Sequence, residues 1–294
     1  MSSPRLGFAF VPAAPPERLP SLARAVESAG FDDLWVWEDC FAEAGIAQAA
    51  IALASTSRIS VGISLLPVPL RTAPLLAMEI ATLARAFPGR FLPGIGHGVQ
   101  EWMGQVGVRA ASPLTLLREH AAALRALLDG ERVTTDGRYV KLDDVALEWP
   151  PVERVPLWIG AGGPKSLALI GELGDGLLIG AAAPTRVIEE AIATARSARP
   201  AERGELPVVA ALVVAKDDPA AGDAAQRAAR DAAKWHPEAD ETTWAAGSAE
   251  RIAAGVRGLL AAGVTTVQLQ PTGDEPDLEG LVEFLGREVL PLLR

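Results

Sequence analysis

LGFAFVPAAPPERLPSLARAVESAGFDDLWVW, residues 6–37, has the pattern of one strand–helix–strand unit. An apolar run of strand length ends at Val11, and a second one covers Leu34–Trp37. Between them, four apolar residues fall at helical spacing on one face: Leu19, Leu22, Ala23 and Val26. Gly30 is suited to close that helix, because glycine adopts the backbone conformation that follows a helix end. The stretch predicts a parallel βαβ unit.

The same alternation continues along the chain. Further strands are predicted at residues 59–66, 91–95, 155–160, 177–180, 206–215 and 265–269. Together with the first two, they make eight strands separated by helical patterns. We therefore predict an α/β fold, a (β/α)₈ TIM barrel, with residues 1–294 as a single domain.

Two insertions and a closing helix are predicted. An Asp136-Gly137 turn within residues 131–150, flanked by short β-like runs, indicates an inserted hairpin. Between the seventh and eighth strands, alanine-rich stretches at 218–235 and 248–262 predict extra helices, joined by a segment that contains Trp235, His236 and Trp244. The insertion, residues 216–247, is expected to overhang the top of the barrel. A helix over 277–293 is expected to close the fold.

Composition limits the classes of partner. The net charge is −10 and the basic residues are scattered, so we expect no nucleic-acid partner and no binding to an anionic membrane. No apolar run approaches the roughly 18–20 residues that cross a bilayer, and we expect a cytoplasmic protein. Cys40 is the only cysteine, and the three histidines His97, His120 and His236 are far apart in sequence, so we expect no disulfide and no metal site.

The loop after the predicted fifth strand is glycine-rich. In a barrel of this kind the active site forms at the C-terminal ends of the strands. Residues Gly160–Ser166 read GAGGPKS, in which the glycines free backbone N–H groups, Pro164 suits a first helical turn, and Lys165 adds a positive charge. The pattern favours a phosphate site at Gly162 and Gly163. An ordinary strand-to-helix turn is the alternative.

The loop after the fourth strand, Gly94–Gly98, also contains glycines around a histidine. It is not a dinucleotide fingerprint, because Val99 occupies the position of the third glycine. Gly96 and Gly98 instead permit a flat ligand to approach the backbone closely. His97 is a candidate general acid or hydrogen-bond donor, and a structural histidine bonded to a neighbouring loop is the alternative.

Two carboxylates and a thiol follow the second strand. Alternation along a strand directs one of Glu38 and Asp39 into the barrel mouth. We predict that Asp39 contacts a cofactor ring or protonates the substrate; a helix cap or a salt-bridge partner is the alternative. Cys40 gains no lowering of its pKa from the adjacent acids, and we expect it to line the pocket rather than act as a nucleophile.

Seven tryptophans accompany a single tyrosine. Trp35 and Trp158 lie inside predicted strands and are expected in the core. Trp37, Trp102 and Trp244 are candidates for pocket walls, with core packing as the alternative for each.

Four segments in a fixed order resemble one family. They are AGFDDLWVWED at 29–39, RAFPGRFLPGIG at 85–96, GGPKS at 162–166 and GDG at 174–176. Each is weak alone, but their order and spacing are similar to the luciferase-like monooxygenase superfamily, in the branch of flavin- or coenzyme F420-dependent oxidoreductases related to methylenetetrahydromethanopterin reductase. The resemblance extends over nearly the whole chain.

The resemblance implies a cofactor at the top face, coenzyme F420 (a deazaflavin) or, alternatively, FMN. It implies that Gly162, Gly163, Pro164 and Lys165 hold the cofactor phosphate, that Asp39 contacts the ring system, and that a cis peptide at Ser64–Leu65 forms a bulge behind the ring. It also implies a homodimer acting on a small molecule. The predicted function is hydride transfer to or from a small organic substrate, with an FMN-dependent monooxygenase and a non-catalytic flavin-binding protein as alternatives.

Two positions depart from the pattern of the sugar-phosphate dehydrogenases of this group. There, a catalytic histidine follows the aspartate and a glutamate follows the glycines of the fourth strand; here Cys40 and Val99 stand at those places. The resemblance therefore does not transfer that substrate or that acid–base pair. His97 is a candidate replacement.

Overall fold

The computed structural model describes residues 4–218 and 221–294. Within them the strands are β1 (Arg5–Ala9), β2 (Asp33–Val36), β3 (Ser60–Pro67), β4 (Phe91–Gly96), β5 (Val133–Asp136), β6 (Lys141–Val145), β7 (Trp158–Gly160), β8 (Gly176–Leu178), β9 (Val208–Ala215), β10 (Trp244–Ala246) and β11 (Thr266–Pro271). Eight of them close a parallel barrel in the order β1-β2-β3-β4-β7-β8-β9-β11, with β11 paired to β1 and β8 to β9. The predicted (β/α)₈ class is confirmed.

Helices surround the barrel. They are α1 (Leu19–Ser28), α2 (Gly45–Ser55), α3 (Ala73–Ala86), α4 (Gln100–Gln105), α5 (Pro113–Leu128), α6 (Pro164–Leu173), α7 (Thr185–Ser197), α8 (Ala224–Trp235), α9 (Ala249–Ala261) and α10 (Leu278–Phe284). Short 3₁₀ turns cover Pro16–Arg18, Val68–Leu70, Ala201–Arg203 and Leu290–Leu292, and a π-helical turn covers Leu285–Val289. No helix in the described residues is long and apolar enough to cross a membrane.

The helices pack through the faces that their spacing predicts. The buried residues of α1 are the four predicted ones, Leu19, Leu22, Ala23 and Val26. These side chains join the main apolar core between helices and barrel. Burial of apolar area at about 25 cal/mol per Å² is the principal term that holds this layer on the barrel.

Two tryptophans fill the inside of the barrel. Trp35 and Trp158 are buried, as predicted, and their rings meet edge to face with centroids 6.0 Å apart. Each ring lies over a glycine of a neighbouring strand: a Cβ atom at Gly62 would lie 2.2 Å from the Trp35 ring, and one at Gly176 would lie 2.2 Å from the Trp158 ring. The barrel interior is therefore solid below its upper rim, and a ligand is restricted to the top face.

The hairpin predicted within 131–150 is formed by β5 and β6, which pair antiparallel. Glu119 of α5 holds its turn by accepting backbone N–H bonds from Arg138, Tyr139 and Val140. Burial disfavours the charged form of Glu119, but these bonds favour the carboxylate and together lower the pKa of Glu119.

Several predicted boundaries were wrong. The fifth barrel strand begins at Trp158 rather than at residue 155, because Pro156 has no N–H to donate to a neighbouring strand. The helix predicted from 218 begins at Ala224, where the Asp223 side chain caps it by accepting from the Gln226 N–H; positions 219 and 220 lie outside the described residues. The closing helix predicted to 293 is α helical only to Phe284 and continues as π and 3₁₀ turns.

The segment between the two extra helices contains β10, which was not predicted. It pairs in parallel with the upper half of β9, from Trp244 opposite Val213 to Ala246 opposite Ala215. The lower half of β9 pairs with β8. β10 therefore extends the sheet above the end of the short β8 strand and fixes where the insertion returns to the barrel.

Candidate active site

A cavity of about 720 Å³ opens at the C-terminal ends of the barrel strands. This volume is within the range of small-molecule and cofactor sites. Nine of the predicted site residues line it: Trp37, Asp39, Ser64, Leu65, His97, Gly98, Trp102, Gly162 and Pro164. They come from the ends of four different strands or the loops and helices that follow them, and the closed barrel brings them to one place.

Five other candidates lie outside the cavity wall. Gly163 and Lys165 are exposed at the start of α6. Gly96 lies in β4 beneath the Leu65 side chain, and Cys40 is half-buried in the loop after β2. Trp244, the first residue of β10, packs with the small apolar cluster against α8 rather than with the cavity.

Leu65 forms part of the cavity floor. The Ser64–Leu65 peptide is cis, as the family resemblance implied, and the pairing of β3 with β4 shifts register between Ile63 and Leu66. The Leu65 side chain lies over two glycines: a Cβ at Gly96 or at Gly160 would lie 2.5 or 2.6 Å from its Cδ2 atom. Glycine at these positions lets the side chain lie flat across two strands.

The start of α6 has the features of an anion site. The first N–H groups of a helix have no partner inside the helix, and they carry the positive end of the helix dipole. Gly162 and Gly163 are surrounded by open space, with no atom within 4 Å of a Cβ built on either residue. An external phosphate therefore has room to reach these N–H groups, and the exposed Lys165 is adjacent in sequence. The cradle fits the phosphate of a flavin or deazaflavin cofactor.

Glu38 has a structural role. Its carboxylate accepts two bonds from Arg71, at 2.5 and 2.9 Å, and a third from the backbone N–H of Gly45 at the start of α2, at 3.0 Å. Arg71 also lies 3.2 Å from Glu79. The salt-bridge and helix-cap roles, which were the alternative for Asp39, belong to its neighbour Glu38.

Asp39 does not take part in the ion pairs that Arg71 makes with Glu38 and Glu79. It lines the wall, and burial raises its pKa above the ordinary value because the charged form is poorly solvated there. Such a carboxyl group retains a proton to higher pH than an exposed one. It can therefore form a hydrogen bond with a bound ring or exchange a proton with it.

His97 lines the cavity and is fixed to α6. Its Nε2 atom lies 2.9 Å from Oγ of Ser166, in the first turn of that helix. Burial lowers the pKa of His97 below its ordinary value, which favours the neutral ring. The contact ties the β4 loop to the anion site, as expected for a histidine bonded to a neighbouring loop, while the ring remains part of the cavity wall.

The residues that sequence reasoning missed come from the later part of the chain. Trp235 and His236 at the end of α8, Glu190 of α7 and Gln268 of β11 line the cavity. The Trp235 ring meets Trp37 edge to face with centroids 4.9 Å apart. A glutamine within an apolar strand is a usable signal for Gln268. The insertion that contains Trp235 was predicted to overhang the top face, but no pattern in it indicates which of its residues reach the cavity.

Helix α8 is fastened to the loop after β11. The buried Arg227 donates to Glu275 at 2.9 Å, and Asp231 accepts the backbone N–H of Gly273 at 3.2 Å. Asp231 also accepts the indole N–H of Trp235 at 3.1 Å. A chain of polar contacts thus runs from the barrel through α8 to the cavity wall.

The cavity wall contains acidic side chains but lacks lysine and arginine among the described residues. Among the described residues that line it, none is lysine or arginine, while Glu38, Asp39 and Glu190 are acidic. The described residues also contain no group of three or more His, Cys, Asp or Glu side chains placed to hold a metal ion.

Comparisons with known proteins agree on one family. A family model described as luciferase-like monooxygenase matches residues 3–266. The chain is 30% identical over 224 residues to a 5,10-methylenetetrahydromethanopterin reductase from Methanolobus tindarius, covering 75% of this chain and 68% of that protein. It is 31% identical over 195 residues to an F420-dependent glucose-6-phosphate dehydrogenase from Nakamurella multipartita, covering 60% of this chain and 57% of that one.

Solved structures with a similar fold are also found. The structure of a coenzyme F420 dependent tetrahydromethanopterin reductase from Methanopyrus kandleri superposes with a TM-score of 0.81 at 22% identity, covering 100% of both chains. This likeness shows the fold. The chain spans about two thirds of the length of the first relative in sequence and little more than half of the second.

Proposed function

The chain belongs to the luciferase-like monooxygenase family, and we propose that it is an oxidoreductase that uses coenzyme F420 for hydride transfer to or from a small organic molecule. The family and the oxidoreductase class predicted from the sequence are confirmed. The observation that carries the proposal is the top-face cavity, in which the open first turn of α6 lies together with Asp39 and the Leu65 floor.

In this proposal the chain holds the cofactor at two places. The N–H groups around Gly162 and Gly163, with Pro164 and Lys165, bind its phosphate, while Leu65 supports the ring. Once bound, the deazaflavin supplies a ring carbon that accepts or releases a hydride. The protein residues bind and orient the two reactants and keep water away from them.

We assign Asp39 and His97 as the groups nearest to the chemistry. Asp39, with its raised pKa, holds or exchanges a proton at the ring system. His97 is bonded to Ser166 and its lowered pKa favours the neutral ring, so it contributes as a hydrogen-bonding group that also keeps the β4 loop against the proposed phosphate site. Ser64 and Gly98 line the cavity where the ring is proposed to lie, whereas Gly96 contributes indirectly, because it makes room for the Leu65 side chain.

Titration of the purified protein with oxidised F420 and, separately, with FMN tests the proposal. Quenching of protein fluorescence is the readout, since Trp37 and Trp102 line the cavity. We expect F420 to bind more tightly. Tighter binding of FMN would favour the alternative of an FMN-dependent monooxygenase, and binding of neither would reject the proposal. Stopped-flow reduction of the bound cofactor then separates an enzyme from a non-catalytic flavin-binding protein.

We also propose a homodimer. Large apolar side chains are exposed on two successive helices, Ile51 on α2 and Leu75 and Met78 one turn apart on α3. Such surface is favourable to cover with a second copy. We expect a dimer in analytical ultracentrifugation and a monomer for Met78→Glu; a monomeric wild-type protein would reject this part. The cytoplasmic location stays a prediction.

A further inference from the structure

The outer part of the cavity differs in chemistry from the anion site at α6. Three tryptophans contribute to its wall: Trp37, Trp102 and Trp235. Trp37 and Trp235 already meet edge to face, and Trp235 is held in that position through its N–H bond to Asp231. Flat indole surfaces bury apolar and aromatic ligands well.

His236 supplies a directed polar group next to these rings. It lines the cavity, and its Nδ1 atom accepts the backbone N–H of Glu238 at 3.2 Å. A neutral imidazole that accepts at Nδ1 carries its proton at Nε2, so Nε2–H is the remaining donor of the ring. A neutral N–H donor suits a carbonyl or a similar acceptor oxygen.

The wall disfavours an anionic substrate. Asp39 and Glu190 line the cavity, and the described lining residues include no lysine or arginine to compensate a second negative charge. Arg71, which contacts the lining residue Glu38, is not itself a lining residue, and its guanidinium is engaged by Glu38 and Glu79. A charged ligand at this place would lose its solvation without gaining a partner.

We propose that the outer part of the cavity binds an uncharged, flat molecule with one acceptor oxygen, of the class of aromatic or conjugated ketones. Its ring packs against Trp37 and Trp235, and its oxygen accepts the Nε2–H bond of His236. The proposal rests on the proposed function, because it names the substrate class of the same site. It sets this chain apart from relatives named for a sugar phosphate.

A pair of matched probes tests the charge preference. Acetophenone and 4-acetylbenzoate share the ring and the ketone and differ by one carboxylate. We measure binding of each by isothermal titration to the F420-saturated protein, and repeat the titration without cofactor. Acetophenone is expected to bind about tenfold or more tightly than 4-acetylbenzoate, since one uncompensated charge pair accounts for at least that factor. Equal affinities, tighter binding of the carboxylate, or no binding of acetophenone at millimolar concentration would overturn the proposal.

Variants of His236 test the hydrogen bond. His236→Leu removes the donor and is expected to weaken acetophenone about tenfold, whereas His236→Gln presents an amide N–H at a similar reach and is expected to stay within about threefold of the wild type. Ala233→Ser, at an exposed position of α8, is the matched control and is expected to leave the affinity unchanged. Wild-type affinity in His236→Leu would overturn the assignment.

Two further readouts keep the proposals separate. The chain has three histidines, so the ¹⁵N shift of the His236 ring can be followed in labelled protein; it is expected to move with acetophenone in the wild type. A ring signal that does not move contradicts the contact. F420 affinity is measured for every variant and is expected to stay constant. Loss of F420 binding by the wild type would reject the proposed function, whereas normal F420 binding without a preference between the two ketones would reject only the substrate class.

Discussion

Gly163→Asp places a carboxylate at the start of α6, where we assign the cofactor phosphate. The structure accepts the change: the backbone of Gly163 has φ −82° and ψ 148°, which any residue adopts, and a Cβ there meets nothing within 4 Å. Aspartate is also a preferred residue at the start of a helix, so the free energy of unfolding is expected to change by only a few tenths of a kcal/mol.

The substitution is expected to weaken binding of the cofactor instead. The new carboxylate competes for the first N–H groups of α6 and repels the phosphate. At about 4 Å, two like charges interact by about 1 kcal/mol in bulk water and about 4 kcal/mol at an effective dielectric constant near 20. Gly163 lies on the exposed rim, so a value of about 2 kcal/mol is appropriate, which weakens F420 about 30-fold.

Fluorescence titration at low and at high salt measures this effect. High salt is expected to reduce the difference between Gly163→Asp and wild type, because the charge pair is solvent-exposed. Gly163→Asn is the matched control: it caps the same N–H groups without a charge, so the difference between the two variants isolates repulsion. If Gly163→Asp and Gly163→Asn both bind F420 as tightly as the wild type, the phosphate lies elsewhere and the reasoning about α6 is refuted.

Three stability predictions follow from buried contacts and are measured by urea denaturation. Arg71→Met leaves the Glu38 carboxylate, whose side chain is 6% exposed, without its partner and is expected to cost about 3–5 kcal/mol; an equally unstable double variant Arg71→Met/Glu38→Met would contradict this cause. Burial lowers the pKa of His120 from 6.5 to about 4. Between these values the unfolded chain binds a proton that the folded chain does not, so stability falls by about 3 kcal/mol as the pH drops through this window; the loss should be absent in His120→Gln, and an identical pH profile in that variant would rule the histidine out. Gly62→Ala is expected to destabilise by about 1–3 kcal/mol, since its Cβ would lie 2.2 Å from a buried indole, whereas Gly258→Ala in α9, with open space around its Cβ, is expected to stabilise by about 0.5–1 kcal/mol; similar effects of the two would show that close approach is not what requires glycine.

The elements of the fold were predicted correctly where the signal in the sequence is local. The face of α1 was predicted residue by residue, because helical spacing depends only on near neighbours and the side chains it selects are the buried ones. β10 was missed because three residues are too few to show a period, and its pairing with β9 depends on the tertiary fold. Likewise, nothing in the spacing of residues 277–293 marks the change from α10 to the π turn.

The residues of the candidate site also divide into those that a local pattern predicts and those that depend on tertiary contacts. Residues that directly follow strands, such as Asp39 and His97, were predicted to meet because barrel topology brings strand ends together. The separate roles of Glu38 and Asp39 depend on Arg71, which is distant in sequence and reaches only one of them. The contact between Trp37 and Trp235 joins the second strand to an insertion near the end of the chain, and no local pattern announces such a pair.

The attachment of α8 has a consequence for protein engineering. The helix that presents Trp235 and His236 is fastened through Arg227 and Asp231 to a single loop, whereas the cradle around α6 is built from a different part of the chain. The proposed substrate-binding and cofactor-binding parts of the cavity therefore come from separate segments of the chain. Grafting residues 221–247 together with the loop after β11 from one family member into another should exchange substrate preference while the recipient keeps its own cofactor.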